Sequence, residues 1–542
     1  MTLQELISKR KALVDIQNEN KISEGITRLL TDLYATSGHF VYELLQNAED
    51  MNATSARFHL YKDKLIFEHN GTKRNFTLED IDAITNIGHN LQKLHDPTSI
   101  GKFGVGFKSV YAYTRTPEIH SGEYHFKIKE YFIPQIDGVE MIETVDDTGV
   151  EWTKFFLPFD NPKKDPEVAF DEISKALKAI DDTSILFLRS INSIDYDLND
   201  KEKGYSRKTL NNSFVSIEFN DTNKSTKTSW LRYQRQVEIN DENNITKLLN
   251  ISVAYSLMDD GDHYKVVPVK TGGKTFIYFP AESEKSGLRF HINAPFASTV
   301  GRETIRECPE NKTLIKEISK LAADSIEFVK QDGYLDLEFL EVVPNDSDEI
   351  DKKYDFLRDY MISVFYNNEY IPTISNKYVK SKEAVIANDL LRDLFDENTL
   401  SEVMDKNISY AINPKRNSNT ARLYRSLDVY NFNDDGFKKL FISNKTIFEK
   451  IIAEQNDEWL KKFYVHIYNC IMTMDYWGQP CIKESDLYQI VMSSSIIRTE
   501  NDKMISPREC YYPSESYTDK DKIIKKSLLK GDEQYTKIVN TL

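Results

Sequence analysis

The chain has 542 residues, 40% of them hydrophobic and 29% charged, with a formal net charge of −16. That length exceeds one compact core and predicts two to four domains. Acidity on this scale argues against a general binder of phosphate backbones, which needs clustered Lys and Arg. The four cysteines, Cys308, Cys470, Cys481 and Cys510, are far apart and form no CxxC pair. This argues against a disulfide framework or a zinc site and makes a reducing cytosol the default. The polar N-terminus is unlike a signal peptide, and no apolar run approaches membrane-spanning length. A cytoplasmic chain without membrane contact is therefore expected.

In chain order, a helix is predicted over Gly38–Met51, followed by two strands, "SARFHLY" and "LIFEHN", around a "KDK" turn. Next comes a glycine-rich loop, "IGKFGVGFKSVY", leading into a helix-capable segment. "YHFKIKEYF" and "EWTKFFLPF" read as strands, and "SILFLRSINSIDY" (Ser184–Tyr196) reads as a buried strand leaving this region. Residues 198–229 are rich in Asn, Asp, Lys and Ser, which predicts a loop or boundary. A second α/β region follows, with strand-like "WLRYQRQVEI" and a helix over Lys312–Gln331. From about Asp346 the pattern is mainly helical and acidic. Within it, residues 371–385 resemble residues 497–511, with Thr373, Lys377 and Glu383 matching Thr499, Lys503 and Glu509. Each copy reads as a hairpin with a turn around "NK" or "DK". A duplicated unit and a chance recurrence remain equally open.

The first helix and the glycine loop carry the chemistry. At 3.6 residues per turn, Glu43, Asn47 and Asp50 share an arc of about 60°. Phe40, Leu44, Ala48 and Met51 form the adjoining core stripe, and Tyr42, Gln46 and Glu49 are expected on the solvent side. Asp50 falls near the helix C-terminus, where a negative charge is unfavourable. A carboxylate and an amide on one face can place a hydrated Mg²⁺ and a water, and a Glu can take a proton from that water. A solvated polar edge is the plainer alternative. The glycines Gly101, Gly104 and Gly106 let backbone N–H groups converge on an anion. Their GxxGxG spacing is neither a Walker A loop nor a dinucleotide fingerprint. The ten histidines show no HExxH or other metal spacing, and neither GxSxG nor a convincing Cys–His pattern is present. The basic stretch Lys415–Arg425 reads as a solvated loop, so nucleic acid is not indicated.

In order and spacing, "ELLQNAED", "HNG", "IGKFGVGFKSVY" and "EWTKFFLPF" resemble the ATP-binding boxes of the GHKL superfamily. The resemblance is closest to the heat-shock-ATPase-like domains of the sacsin and NO VEIN type, supported by "FTLED" and "PEIHSG". It is specific over about residues 20–160 and looser to about 315. It implies ATP and Mg²⁺ as cofactors, with Glu43 as general base, Asn47 as magnesium ligand and Asp50 as the second acid of the helix. It implies that Gly101, Gly104 and Gly106 close over the phosphates, with Phe103, Val105 and Phe107 in the same loop. Thr153 resembles the strand threonine near the adenine, and Gly71 the glycine of the base-binding box. Lys93 falls in the lid region and is either a phosphate ligand or a surface lysine. Arg302 resembles the basic residue that a following domain supplies to the γ-phosphate, with an Arg–Glu pairing as the equal alternative. Two features depart from the pattern: the second glycine of the base-binding box is missing, replaced by the longer "GTKRNFT", and the adenine-facing acid is replaced. Where the family has an aspartate for the adenine amino group, this chain has His69, and Glu68 beside it should face the other way.

The implied fold is α/β (α+β): a GHKL sandwich of mixed sheet and helices (1–197), an α/β middle domain (198–345) and a mainly helical C-terminal region (346–542). The implied function is a Mg²⁺-dependent ATPase whose nucleotide-driven movement regulates a protein partner, with homodimerisation. The resemblance also allows a place in a bacterial antiviral module. A nucleotide-gated or inactive scaffold and a chaperone are the alternatives.

Overall fold

The structure is a computed structural model that describes residues 2–19, 39–72, 74–86, 106–198, 202–221, 224–240, 245–299, 304–474, 480–482, 485–531, 535–536 and 538–539. The chain divides into two units, Met1–Tyr334 with Glu341–Met361, and Leu335–Leu340 with Ile362–Leu542. It is a mixed α/β protein with a large mixed sheet and a helical C-terminal region. No helix among the described residues is long and apolar enough to cross a membrane.

The first unit begins with helices α1 (Leu3–Glu19) and α2 (His39–Asp50), then strands β1 (Ser55–Leu60) and β2 (Lys64–His69). Helix α3 (Leu78–Ile84) and a 3-10 helix (Gly106–Ala112) precede β3 (Glu118–Ser121), β4 (Tyr124–Lys129), β5 (Ile133–Gln135) and β6 (Thr153–Pro158). Helices α4 (Pro166–Lys178) and α5 (Thr183–Leu186) lead to β7 (Ser193–Leu198), β8 (Glu202–Thr209), β9 (Phe214–Asp221), β10 (Lys224–Asn240) and β11 (Thr246–Asp259). Strands β12 (Tyr264–Val267), β13 (Lys274–Ile277), β14 (Phe279–Lys285), β15 (His291–Asn293) and helix α6 (Pro309–Gln331) follow. Among the described residues these strands join one sheet in the order β14-β13-β15-β11-β10-β9-β8-β7-β1-β2-β6-β3-β4-β5, with β12 on β11. β1 pairs with β7 in parallel and with β2 antiparallel.

Strict alternation sorts the two faces of the central strands. Ala56, Phe58, Leu60, Leu65, Phe67 and His69 are buried. The Phe58, Phe67 and Phe155 rings meet at 4.6 and 5.8 Å and form the floor beneath α2. Arg57, His59 and Glu68 face the other way. There Glu68 lies 3.5 Å from Arg57 and 3.9 Å from Lys154, and His59 Nδ1 lies 2.6 Å from Asp197. Glu68 thus points away from the His69 side, as alternation requires.

Two expected elements differ. Ser184–Tyr196 is not one strand: it runs from α5 through residues 187–192 into β7. The amides of Arg189, Ser190 and Ile191 donate to the Glu49 carboxylate at 2.5, 2.8 and 3.0 Å, so they are withheld from any ladder. Residues 198–229 contain β8, β9 and the start of β10, paired antiparallel. Their polar residues line exposed positions of an antiparallel meander, which conceals the period-2 pattern. The one buried charge among the described residues there, Arg207, donates to the Ile185 carbonyl at 2.7 Å and to Leu188.

The second unit packs helices around an aromatic core of Phe395, Phe437, Phe441, Phe448 and Phe463. Its helices open on side-chain caps: Asn388, Asp396, Ser418, Asn433, Asn456 and Ser485 each accept from a backbone N–H. Residues 371–385 and 497–511 make matching hairpins, Ile371–Pro372 with Tyr378–Val379 and Ile497–Arg498 with Met504–Ile505. Thr373 N–H donates to Lys377 O at 2.9 Å, and Thr499 N–H to Lys503 O at 2.9 Å. Asn376 (φ 56°) and Asp502 (φ 59°) take the left-handed turn position that short polar side chains tolerate.

Candidate functional site

Helix α2 places Glu43 and Asn47 half-buried and Asp50 buried on one stripe. Alongside, Leu44 and Ala48 are fully buried and the Phe40 ring meets Tyr113 at 4.9 Å. The helix stops at Asn52, whose φ of 55° turns the chain while Ala53 N–H closes on Ala48 O at 3.0 Å. Asp50 sits at the unfavourable end of the helix, with Arg189 Nη2 3.9 Å away as counter-charge.

The helix is buried more widely than one apolar stripe suggests. Gln46 and Glu49, expected in solvent, are 1% and 0% exposed, and Tyr42 stacks on Phe279 at 4.9 Å. The α5–β7 connection and β14 cover that side. Glu49 holds three amides there, so it is a structural acid that sequence reasoning placed on the wrong face. Nothing local signals its role, because its partners lie about 140 positions along the chain.

Gly106 meets Glu43 directly: a Cβ at Gly106 would overlap the Glu43 carboxylate. The last glycine of the loop therefore lets the backbone pass the acid with its carboxylate in this position. Gly106→Ala should push the carboxylate aside, lowering turnover while nucleotide affinity changes little, which steady-state kinetics beside nucleotide titration would separate. Immediately beyond, Lys108 turns inward. Its ammonium donates to Ile84 O at 2.6 Å and Tyr131 O at 3.1 Å, and burial pulls its pKa down to about 7. This lysine ties the end of α3 to the sheet. Phe107, expected in the nucleotide loop, packs its ring against Phe155 at 5.8 Å and belongs to the core.

On the floor, β2 and β6 pair His69 with Thr153. Thr153 Oγ1 lies 2.7 Å from Ser121 Oγ, which accepts the Phe76 N–H at 3.0 Å. Ser121 belongs to the "PEIHSG" motif but was not singled out as a site residue. Gly71 fits beneath Met51, where a Cβ would come within 2.8 Å of the Met51 Cβ, and its N–H donates to His69 Nδ1 at 3.2 Å. Burial lowers the His69 pKa to about 4, so the ring is neutral near pH 7. A neutral imidazole that accepts at Nδ1 carries its proton at Nε2. The donor of the His69 ring is then Nε2, whereas a carboxylate in its place would carry acceptors alone.

Gly106 thus meets Glu43 of α2, Gly71 meets His69 and Met51 just beyond α2, and His69 pairs with Thr153 across β2 and β6. Lys93, Gly101, Phe103, Gly104, Val105 and Arg302 lie outside the described residues. The segment after Arg302 is anchored: Ile305 N–H donates to Glu284 Oε2 at 3.2 Å, while Lys353 Nζ lies 2.5 Å from Glu284 Oε1.

Residues 19–135 match the Sacsin domain family. Over 334 residues the chain is 25% identical to Protein NO VEIN of Arabidopsis thaliana, covering 56% of this chain and 12% of that protein. Over 107 residues it is 34% identical to sacsin of Homo sapiens, covering 17% of this chain and 2% of that protein. The chain thus spans a small fraction of either relative, and both alignments support homology to sacsin and NO VEIN.

Proposed function

We propose that this Sacsin-domain chain binds a nucleoside triphosphate at α2 and the glycine loop and hydrolyses it in the presence of Mg²⁺. The observation that carries this reading is the Glu43 carboxylate set against Gly106, on the same helix face as Asn47. Asn47 offers an amide oxygen of the kind Mg²⁺ accepts, and the ion would offset phosphate charge. Glu43 would take the proton of the attacking water, and Asp50 with Arg189 would keep that helix end electrostatically balanced. Arg302 and Lys93 are proposed phosphate contacts.

The output is mechanical or regulatory: nucleotide-dependent closure acting on a protein partner, with dimerisation and an antiviral setting as further parts of the proposal. The test is hydrolysis and nucleotide binding by the purified chain, with Mg²⁺ and with a chelator. Mg²⁺-dependent turnover that falls in Asn47→Ala supports the reading; neither binding nor turnover sinks it. A nucleotide-gated scaffold is the second reading, favoured by His69, and tight binding without hydrolysis would establish it.

The His69 tautomer carries its own expectation. A donor at this position opposes the adenine amino group and suits the O6 acceptor of guanine. GTP should compete with a fluorescent nucleotide at least as well as ATP, and His69→Asp should shift the preference toward ATP. Because His69 protonates only near pH 4, the preference should be flat between pH ~5.5 and ~8. Strong ATP preference in the unaltered chain would remove this role from His69.

A further inference from the structure

In the second unit, Asp434 opens the helix Asp434–Ser443, and His466 and Cys470 lie one turn apart on the helix Asp457–Ile471. One ligand atom from each of the three lies within 4.8 Å of the other two. His466 and Cys470 are 2% and 9% exposed, whereas Asp434 is exposed at the rim. We propose that Asp434, His466 and Cys470 form a binding site for a divalent cation of the zinc type, independent of the nucleotide site.

The geometry is specific. His466 Nε2 and Cys470 Sγ are 3.6 Å apart. Two ligands on one tetrahedral zinc, at about 2.0 Å for nitrogen and about 2.3 Å for sulfur, stand about 3.5 Å apart. A helical i, i+4 pair supplies that span without rearrangement. The Phe437 ring meets the His466 ring edge-on at 4.6 Å and fixes its plane from the helix that carries Asp434. Nitrogen, sulfur and oxygen donors together select zinc over magnesium or calcium, and the exposed Asp434 side leaves a fourth position to water.

Both buried ligands are neutral without metal. Burial lowers the His466 pKa, and it raises that of Cys470 to about 12, with Asp434 and Asp435 adding to the rise and Lys438 opposing it. Binding breaks the S–H bond, forms the S–metal bond and sends one proton to solvent, with no change of oxidation state.

The experiment is Co²⁺ titration of the chelator-treated full chain, followed by displacement with Zn²⁺. One equivalent of Co²⁺ should give a thiolate charge-transfer band that Zn²⁺ abolishes and that Cys470→Ser lacks. Asp434→Asn changes only an exposed residue and should weaken binding at least about tenfold with the fold intact. No band under excess Co²⁺ at pH ~8, a band that survives Cys470→Ser, or affinity unchanged in Asp434→Asn would each overturn the proposal. In the first of these cases the pair is an S–H donor on an imidazole and nothing more.

Discussion

Glu43→Gln is expected to lower nucleotide hydrolysis by about 10²–10⁴-fold, the range by which a positioned general base contributes. Gln keeps the size of the side chain, so it still fits against Gly106 and the half-buried flank of α2. Only the capacity to take a proton is removed. The loss should fall on kcat, with nucleotide affinity nearly unchanged. The kinetic split decides between roles. If binding fell along with turnover, Glu43 would be a wall of the pocket. If neither changed, the water would be activated elsewhere and the proposed chemistry would lose its base. Gly106→Ala tests the same contact from the other side, because the added methyl displaces a carboxylate whose chemistry is intact.

The parts of this site legible in the sequence are those governed by local periodicity. The 3.6-residue repeat brought Glu43, Asn47 and Asp50 to one stripe, and the two-residue repeat put Glu68 and His69 on opposite faces. Glycine density marked Gly106 as a place of close backbone approach, and the structure identifies the neighbour as Glu43. Long-range covering was not legible. A helical wheel assigns solvent to whatever lies opposite the apolar stripe, but α2 is enclosed by segments far along the chain. Gln46 and Glu49 are buried and Tyr42 is half-buried by β14 and the α5–β7 connection, so polar residues there satisfy partners instead of meeting water. The strands β8 and β9 and the start of β10 escaped for a related reason. Their Lys, Ser and Thr line exposed positions of an extended antiparallel sheet, and composition alone reads as loop. His69 joins both kinds: its position was legible, while its tautomer required the Gly71 N–H to be placed.

Glu49→Ala is expected to destabilise the first unit by about 3–5 kcal/mol, the cost of removing one side of a buried charged hydrogen-bond set. The side chain is wholly buried, and its two oxygens accept from Arg189, Ser190 and Ile191 while Arg189 Nε stands 3.5 Å away. Truncation to Ala leaves three amides without their acceptor and opens a void where the carboxylate sat. Glu49→Gln is the sharper variant. Its single carbonyl oxygen can serve some of these amides, but its NH₂ then faces another donor, so part of the loss should remain. The check is the urea midpoint of the first unit's transition, with Glu43→Gln as a comparison expected to move it little. A Glu49→Ala chain as stable as the unaltered one would mean that residues 189–191 are held by packing alone. Because that connection runs from α5 into β7, which pairs with β1 in parallel, loosening it should also reach the floor of the proposed nucleotide site. Nucleotide affinity should then fall together with stability in Glu49→Ala. In Glu43→Gln the two should stay apart, which distinguishes the acid that holds the site in place from the acid proposed to work in it.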